Sequence, residues 1–127
     1  MKLLLDTHIF IWTDSEPHLL SPVAHAAIAD PNNEVLVSVA SLWEILIKLP
    51  TGRLTLNRPL PEIISRQLAN GMTFLDIAFD HVLAIEHLPL LHKDPFDRII
   101  IAQTVVENAF LVSADKLVTQ YPVPIIY

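Results

Sequence analysis

The sequence contains no cysteine, and this absence removes several kinds of chemistry at once. A disulfide framework, a thiolate metal site and cysteine catalysis all require the missing side chain. The chemistry left for a functional site is that of carboxylates, histidines and hydroxyl groups.

Long hydrophobic runs are also missing. Uncharged stretches such as residues 35–43 and 117–127 fall well short of the roughly 18 apolar residues that a membrane-spanning helix needs. Asp6 interrupts the N-terminal leucines after three residues, so the apolar segment of a secretion signal cannot form. We therefore expect no membrane segment and a cytoplasmic protein.

Basic side chains are scarce, with 8 lysines and arginines against 14 acidic residues and a formal net charge of −6. This balance argues against a nucleic-acid binder that is held by a generally basic surface. Net charge does not show where the charges lie, however. Several acids that converge on one divalent cation would leave the functional surface far less negative than the sum suggests.

Hydrophobic residues are abundant, at 52% of the 127 residues against 17% charged, and the mean hydropathy is +0.46. This composition excludes disorder as the default state and predicts a large buried core. The length suits one domain and is too short for two independent cores. Because no repeat, linker or low-complexity segment divides the chain, residues 1–127 are predicted to form a single domain.

Short apolar runs alternate along the chain with helical patterns. The predicted strands cover residues 2–5, 34–39, 72–75, 109–112 and 124–127. The predicted helices cover residues 22–29, 41–49, 61–70, 78–87, 95–108 and 115–119, with a loop or short helix before residue 12. This alternation predicts an α/β fold with a mostly parallel central sheet that is covered on both faces.

Five acids follow the predicted strand ends or open the next helix. Asp6 follows the first strand, Glu44 lies soon after the second, and Asp115 lies three residues past the strand that ends at residue 112. Asp94 and Asp97 open the long helix. Ligands bind outside the carboxyl ends of such strands, and crowded carboxylates require a cation. Oxygen ligands favour Mg²⁺ or Mn²⁺ over zinc.

Each acid also has a purely structural interpretation. Asp6 can cap the next helix, and Glu44 can be a solvated helix residue. Asp94 and Asp97 fall at the N-cap and N3 positions of a helix, where capping and the helix dipole stabilise acids by about 1 kcal/mol. Asp115 can belong to a turn. The individual signals are weak, and the joint placement of the acids at one sheet edge indicates a site.

Four sequence strings resemble the PIN-domain ribonucleases, and among them the VapC-type toxins of bacterial toxin–antitoxin pairs. They are LLLDTH at 3–8, SLWEI at 41–45, HKDPFDRIIIAQ at 92–103 and LVSAD at 111–115. The similarity runs from Leu3 to Asp115 in the family's order and spacing, so it covers nearly the whole chain.

The resemblance implies the three-layer α/β/α PIN fold and a set of metal-binding carboxylates. This set consists of Asp6, Glu44, Asp97 and Asp115. Asp6 and Asp97 are expected to be the principal ligands of Mg²⁺ or Mn²⁺. Ser113 matches the family's hydroxyl residue, usually threonine, and Asp94 belongs to the matching string as a supporting residue whose contact with metal stays open.

The implied activity is endonucleolytic cleavage of RNA by the toxin of a toxin–antitoxin pair. A bound divalent ion supplies the nucleophile and the charge stabilisation that phosphodiester hydrolysis needs. The implied partners are RNA, a cognate antitoxin and a second copy in a homodimer. Lys48, Arg53 and Arg58 form a basic cluster for which an RNA-phosphate contact and a solvated loop are equally good interpretations.

Two other functions fit the sequence less well. A phosphoacceptor receiver domain also places acids around Mg²⁺, but it needs a second acid beside Asp6, where Thr7 stands, and a lysine at the end of its last strand. A catalytically inactive PIN-like binding module is disfavoured by the presence of all four acids. The histidines, including His8 and His92, show no ligand spacing and are interpreted as packing or surface residues.

Overall fold

The computed structural model describes all 127 residues and is built on a five-stranded sheet. The strands are β1 Lys2–Leu5, β2 Glu34–Ser38, β3 Thr73–Leu75, β4 Phe110–Val112 and β5 Ile125–Ile126. Their order across the sheet is β3-β2-β1-β4-β5, and every neighbouring pair is parallel. The predicted α/β class with a parallel sheet is confirmed.

Six helices connect the strands. They are α1 Thr7–Ser15, α2 Pro22–Ala29, α3 Val39–Lys48, α4 Leu60–Ala69, α5 Phe79–Ala84 and α6 Pro95–Val106. Short 3₁₀ turns occupy Pro17–Leu19, Leu49–Thr51, Ile85–His87 and Val118–Gln120. No helix has the length and apolar character needed to cross a membrane.

Local chemistry explains where several helices begin and end. The Ser21 hydroxyl accepts a hydrogen bond from the backbone N–H of Ala24 at the start of α2, with Pro22 in the first position. Gly71 follows the end of α4 with φ of +91°, a left-handed conformation that glycine adopts without steric cost.

Other boundaries differ from the predicted ones. Helix α3 begins at Val39 rather than at residue 41, because the Ser38 hydroxyl caps it by accepting from the Ala40 N–H at 3.0 Å. The helix predicted at residues 115–119 is wrong in its first half. There the Asp115 carboxylate accepts from the Leu117 N–H at 2.9 Å and closes a turn instead.

The central strand β1 separates two cores. Leu3 and Leu5 point to one face, where they pack with residues of α1, α2 and α4 such as Ile9, Phe10, Ala24 and Ile63. Leu4 points to the other face and packs with Ile100 and Ile101 of α6 and with Leu111, Val118 and Tyr121. Alternating side chains of one strand thus pack into both cores, one on each face of the sheet. The predicted three-layer α/β/α arrangement is confirmed.

Helix α3 lies where the two layers meet. It contacts both α1 and α6, and its Ile45 and Ala40 belong to opposite cores. Because β1, β2 and β4 are parallel neighbours, their carboxyl ends lie side by side at one edge of the sheet. The first turns of α1 and α6 and the second half of α3 frame that edge and place polar side chains around it.

Candidate active site

The predicted acids line one cavity at the carboxyl edge of the sheet. Its volume is about 370 Å³. The sequence-predicted residues that line it are Asp6, Glu44, Lys48, Arg53, Asp94, Asp97 and Asp115. The fold therefore brings together acids that are up to 109 positions apart in the chain, as the parallel-strand argument expects.

Asp6 both caps helix α1 and faces the cavity. Its Oδ1 accepts from the Thr7 N–H at 2.9 Å, and its Oδ2 accepts from the Ser113 hydroxyl at 2.7 Å. The side chain of His8 lies 3.5 Å from the same Oδ2. Burial raises the pKa of the Asp6 carboxyl above its ordinary value, and the negative charge of Glu44 raises it further.

Glu44 is buried on helix α3 and is held at both oxygens. The Thr7 hydroxyl donates to its Oε1 at 2.7 Å, while Lys48 one turn later forms an ion pair with its Oε2. The hydrogen bond to Glu44 is the main cause of a raised pKa at Lys48, and the charges of Asp94 and Asp97 add to it. Lys48 therefore stays positively charged among the acids.

Asp97 lies in the first turn of helix α6, and its side chain is only 14% exposed. Burial raises its pKa to about 7, and the charges of Asp6, Asp94 and Glu44 act in the same direction. A hydrogen bond of 3.0 Å between His92 Nε2 and Asp97 Oδ2 opposes this rise without cancelling it. Ionisation of the Asp97 carboxyl is therefore unfavourable in the folded, metal-free protein.

Ser113 connects two of the acids. Its hydroxyl donates to Asp6 and accepts from the backbone N–H of Asp115 at 3.1 Å. Asp94 caps helix α6 by accepting from the N–H groups of Phe96 and Asp97 at 2.9 and 3.2 Å. Asp94 therefore caps the helix and also lines the cavity.

The structure divides the predicted basic cluster. Lys48 and Arg53 line the cavity, and the Arg53 Nε donates to the Thr51 hydroxyl at 2.9 Å. Arg58 is outside the cavity lining and pairs instead with Asp14 at 3.4 Å and with Glu62 at 3.8 Å. Only two of the three predicted basic residues therefore face the acids.

Three polar neighbours of the acids received no role from the sequence. They are Thr7, His8 and His92. The His8 Nε2 accepts from the Ala114 N–H at 3.2 Å, so the Nδ1 of the neutral ring carries the proton and faces Asp6. Their positions next to matched acids, Thr7 after Asp6 and His92 five residues before Asp97, were the available signal.

The donor set fits a hard divalent cation by its chemistry. In the present side-chain arrangement, no three carboxylate or imidazole groups lie close enough together to hold one ion. However, the carboxylates of Asp6 and Asp97 are buried beside further acids, and burial first, with the neighbouring negative charges adding to it, raises the pKa of both. Oxygen anions in such surroundings suit Mg²⁺ or Mn²⁺, provided that the side chains turn towards one point.

The family model described as the PIN domain matches residues 3–123, so this chain belongs to the PIN-domain family. PIN domains are generally nucleases that use divalent metal ions. Among solved structures, the chain is similar to the crystal structure of VapBC2 from Rickettsia felis bound to a DNA fragment from their promoter. The TM-score is 0.70 at 17% identity, over 98% of this chain and 97% of the other, which shows a shared fold. No curated protein matches the sequence.

Proposed function

We propose that this chain is a Mg²⁺- or Mn²⁺-dependent endoribonuclease and the toxin of a VapC-type toxin–antitoxin pair. The observation that carries the proposal is the arrangement of Asp6, Glu44, Asp97 and Asp115 around one open cavity. The raised pKa values of Asp6 and Asp97 support it, because a divalent cation would relieve the repulsion that causes part of them.

The four acids have different roles in the proposed reaction. Asp6 and Asp97 are the principal ligands, and Glu44 and Asp115 complete the ligand set or orient the attacking water. When bound, the ion supplies a water that ionises near neutral pH and a Lewis acid for the phosphoryl oxygen. Ser113 orients Asp6 through its hydrogen bond of 2.7 Å. Asp94 supports the site by fixing the first turn of α6.

Lys48 and Arg53 are the proposed RNA contacts at the cavity, with Arg58 farther along the same segment. The Lys48 ammonium lies among the acids and offsets part of their repulsion of an incoming phosphate. In-line attack of water on the phosphorus, with the 3′ oxygen as leaving group, gives a 5′-phosphate and a 3′-hydroxyl.

We further propose that the chain forms a homodimer and is bound by an antitoxin. Apolar side chains on α3 and α5 are unusually exposed, including Trp43 at 61% and Phe79 at 81%. Trp43 and Val82 also line an apolar cavity of about 250 Å³ between these helices and α6. The antitoxin proposal draws support from the fold shared with a VapBC complex.

The direct test is RNA cleavage by the purified protein with Mg²⁺, with Mn²⁺ and with EDTA. We expect cleavage only with metal, 5′-phosphate ends, and none by Asp97→Asn. Asp80→Asn is a matched control, because Asp80 also lies in the first turn of a helix but outside the cavity. Cleavage in EDTA, or by Asp97→Asn, would contradict the proposal. Labelling by acetyl phosphate would identify a receiver, and binding without cleavage an inactive module.

A further inference from the structure

Three side chains outside the acidic set form a series of hydrogen bonds that ends on Asp97. The Arg98 Nη1 lies 3.0 Å from the Tyr121 hydroxyl and 2.9 Å from the backbone carbonyl of Pro89. The Tyr121 hydroxyl lies 2.8 Å from the Nδ1 of His92, and the His92 Nε2 lies 3.0 Å from the Oδ2 of Asp97. None of these three side chains takes part in the proposed chemistry.

Counting donors and acceptors fixes the direction of this series. A guanidinium group can only donate, so the Tyr121 oxygen accepts from Arg98 and its own proton can point to the His92 Nδ1. The backbone N–H of His92 also donates to this oxygen, at 3.4 Å. Because Nδ1 is an acceptor, the proton of the neutral ring lies on Nε2, which donates to Asp97.

The series holds Asp97 by one oxygen and leaves the other without a partner. Its Oδ2 accepts from His92, whereas its Oδ1 accepts no hydrogen bond from the chain. Tyr121 is 3% exposed and packs in the core beneath α6, with its ring centroid 5.4 Å from that of His92. A rigid core residue therefore determines how His92 and, through it, the Asp97 carboxylate are oriented.

The segment that carries His92 explains why such an anchor is needed. It runs from the 3₁₀ turn Ile85–His87 to the start of α6 without regular secondary structure. The backbone of this segment therefore does little to fix the orientation of the His92 ring. The hydrogen bond from the Tyr121 hydroxyl, which Arg98 holds in turn, fixes it instead. Tyr121 directly follows the 3₁₀ turn Val118–Gln120, so this turn helps to place the Tyr121 hydroxyl next to His92.

We propose that His92, Tyr121 and Arg98 are positioning residues that hold the Asp97 carboxylate in the orientation in which it binds metal. This inference rests on the proposed function, in which Asp97 is a metal ligand. Partners that orient a metal-binding group typically change metal affinity by about 10–100-fold when they are removed. Loss of the Tyr121 hydroxyl should therefore weaken metal binding although Tyr121 touches no acid of the cavity.

The test is Mn²⁺ binding by isothermal titration calorimetry to a set of full-length variants. Tyr121→Phe should bind Mn²⁺ about tenfold more weakly than the wild type. Tyr127→Phe is the matched control, because its hydroxyl also donates one hydrogen bond, to the Leu19 carbonyl at 2.8 Å. It should bind normally. His92→Leu should lose at least as much affinity as Tyr121→Phe, whereas His92→Gln, whose amide can replace the Nε2 donor, should recover part of it.

Asp97→Asn separates a failure of this inference from a failure of the proposed function. If Asp97→Asn binds Mn²⁺ as the wild type does, the proposed metal site is wrong and the positioning role falls with it. If Asp97→Asn loses binding but Tyr121→Phe matches Tyr127→Phe, only the positioning role is wrong.

A second measurement needs no metal. The ¹⁵N spectrum of the wild-type His92 ring should show a proton on Nε2 and none on Nδ1, and Tyr121→Phe should show a mixture of tautomers. A proton on Nδ1 in the wild type would contradict the direction of the hydrogen bonds and overturn the inference.

Discussion

Replacing Asp97 with asparagine should stabilise the metal-free protein above neutral pH. The folded protein must then hold an ionised Asp97 carboxylate that is 14% exposed and lies near Asp6, Asp94 and Glu44. Asparagine has nearly the same shape and can still accept the hydrogen bond from His92, but it carries no charge. The substitution therefore removes the electrostatic cost and preserves the packing.

The sign and size of the effect follow from proton binding. An aspartate in the unfolded chain ionises near pH 3.9, whereas burial raises the pKa of Asp97 to about 7. Between these values the folded state binds more protons, so the free energy of unfolding falls as the pH rises through this window. The full shift of about 3 pKa units corresponds to ~4 kcal/mol. Because neighbouring acids share the titration, we expect about 2 kcal/mol.

Urea unfolding in EDTA at pH 5 and pH 8 measures this difference. Because pH 5 already lies above the pKa of an aspartate in the unfolded chain, the wild type should lose about 1 kcal/mol more than Asp97→Asn between the two pH values, and histidines away from Asp97 cancel in the comparison. The exposed Asp80→Asn variant should follow the wild type. Equal losses in the wild type and Asp97→Asn would refute the electrostatic reasoning. Mn²⁺ at pH 8 should restore stability to the wild type and much less to Asp97→Asn.

Four further outcomes are expected. Asp6→Asn should abolish metal-dependent RNA cleavage in a gel assay and leave the circular dichroism spectrum unchanged. Arg53→Ala should weaken RNA binding and reduce its salt dependence by about one unit of slope, whereas Arg58→Ala should change the slope less. Asp14→Ala should cost about 1–2 kcal/mol in urea unfolding, since the fully buried Asp14 carboxylate accepts hydrogen bonds from Arg66 and Gln67 while its arginine partners are partly exposed. Phe79→Ser should shift a dimer towards monomer in sedimentation, because Phe79 is 81% exposed.

Local signals were enough to predict the parts of the site that lie at element ends. The leucines before Asp6 predicted β1 with its observed bounds, and the Asp94-Pro95 pair predicted the first turn of α6. Since parallel strands end at a common edge, the predicted ends of β1 and β4 also placed Asp6 and Asp115 at the same edge, and both line the cavity. The regular geometry of a parallel sheet is what made contacts between residues far apart in the sequence predictable.

Contacts made by irregular segments could not be predicted in this way. His92 and Tyr121 are 29 positions apart with α6 and β4 between them, and the hydrogen bond that joins the two side chains depends on how α6 and β4 pack. The pairing of Arg58 with Asp14 likewise depends on where the segment before α4 lies against α1. No periodicity or motif in the sequence encodes either contact, which is why the sequence groups Arg58 with Lys48 and Arg53 and indicates no role for His92.

The charge of the cavity gives the proposed metal a role in RNA binding as well as in hydrolysis. Six acidic side chains line the cavity, against the two basic side chains of Lys48 and Arg53. Lys48 already forms an ion pair with Glu44, so Glu44 neutralises most of the positive charge that Lys48 could offer to a phosphate. An RNA phosphate that enters the metal-free cavity therefore meets net negative charge at short range. In the proposed mechanism, loss of the proton from Asp97 therefore favours binding of the cation, and the bound cation in turn lowers the electrostatic cost of the approach of the phosphate.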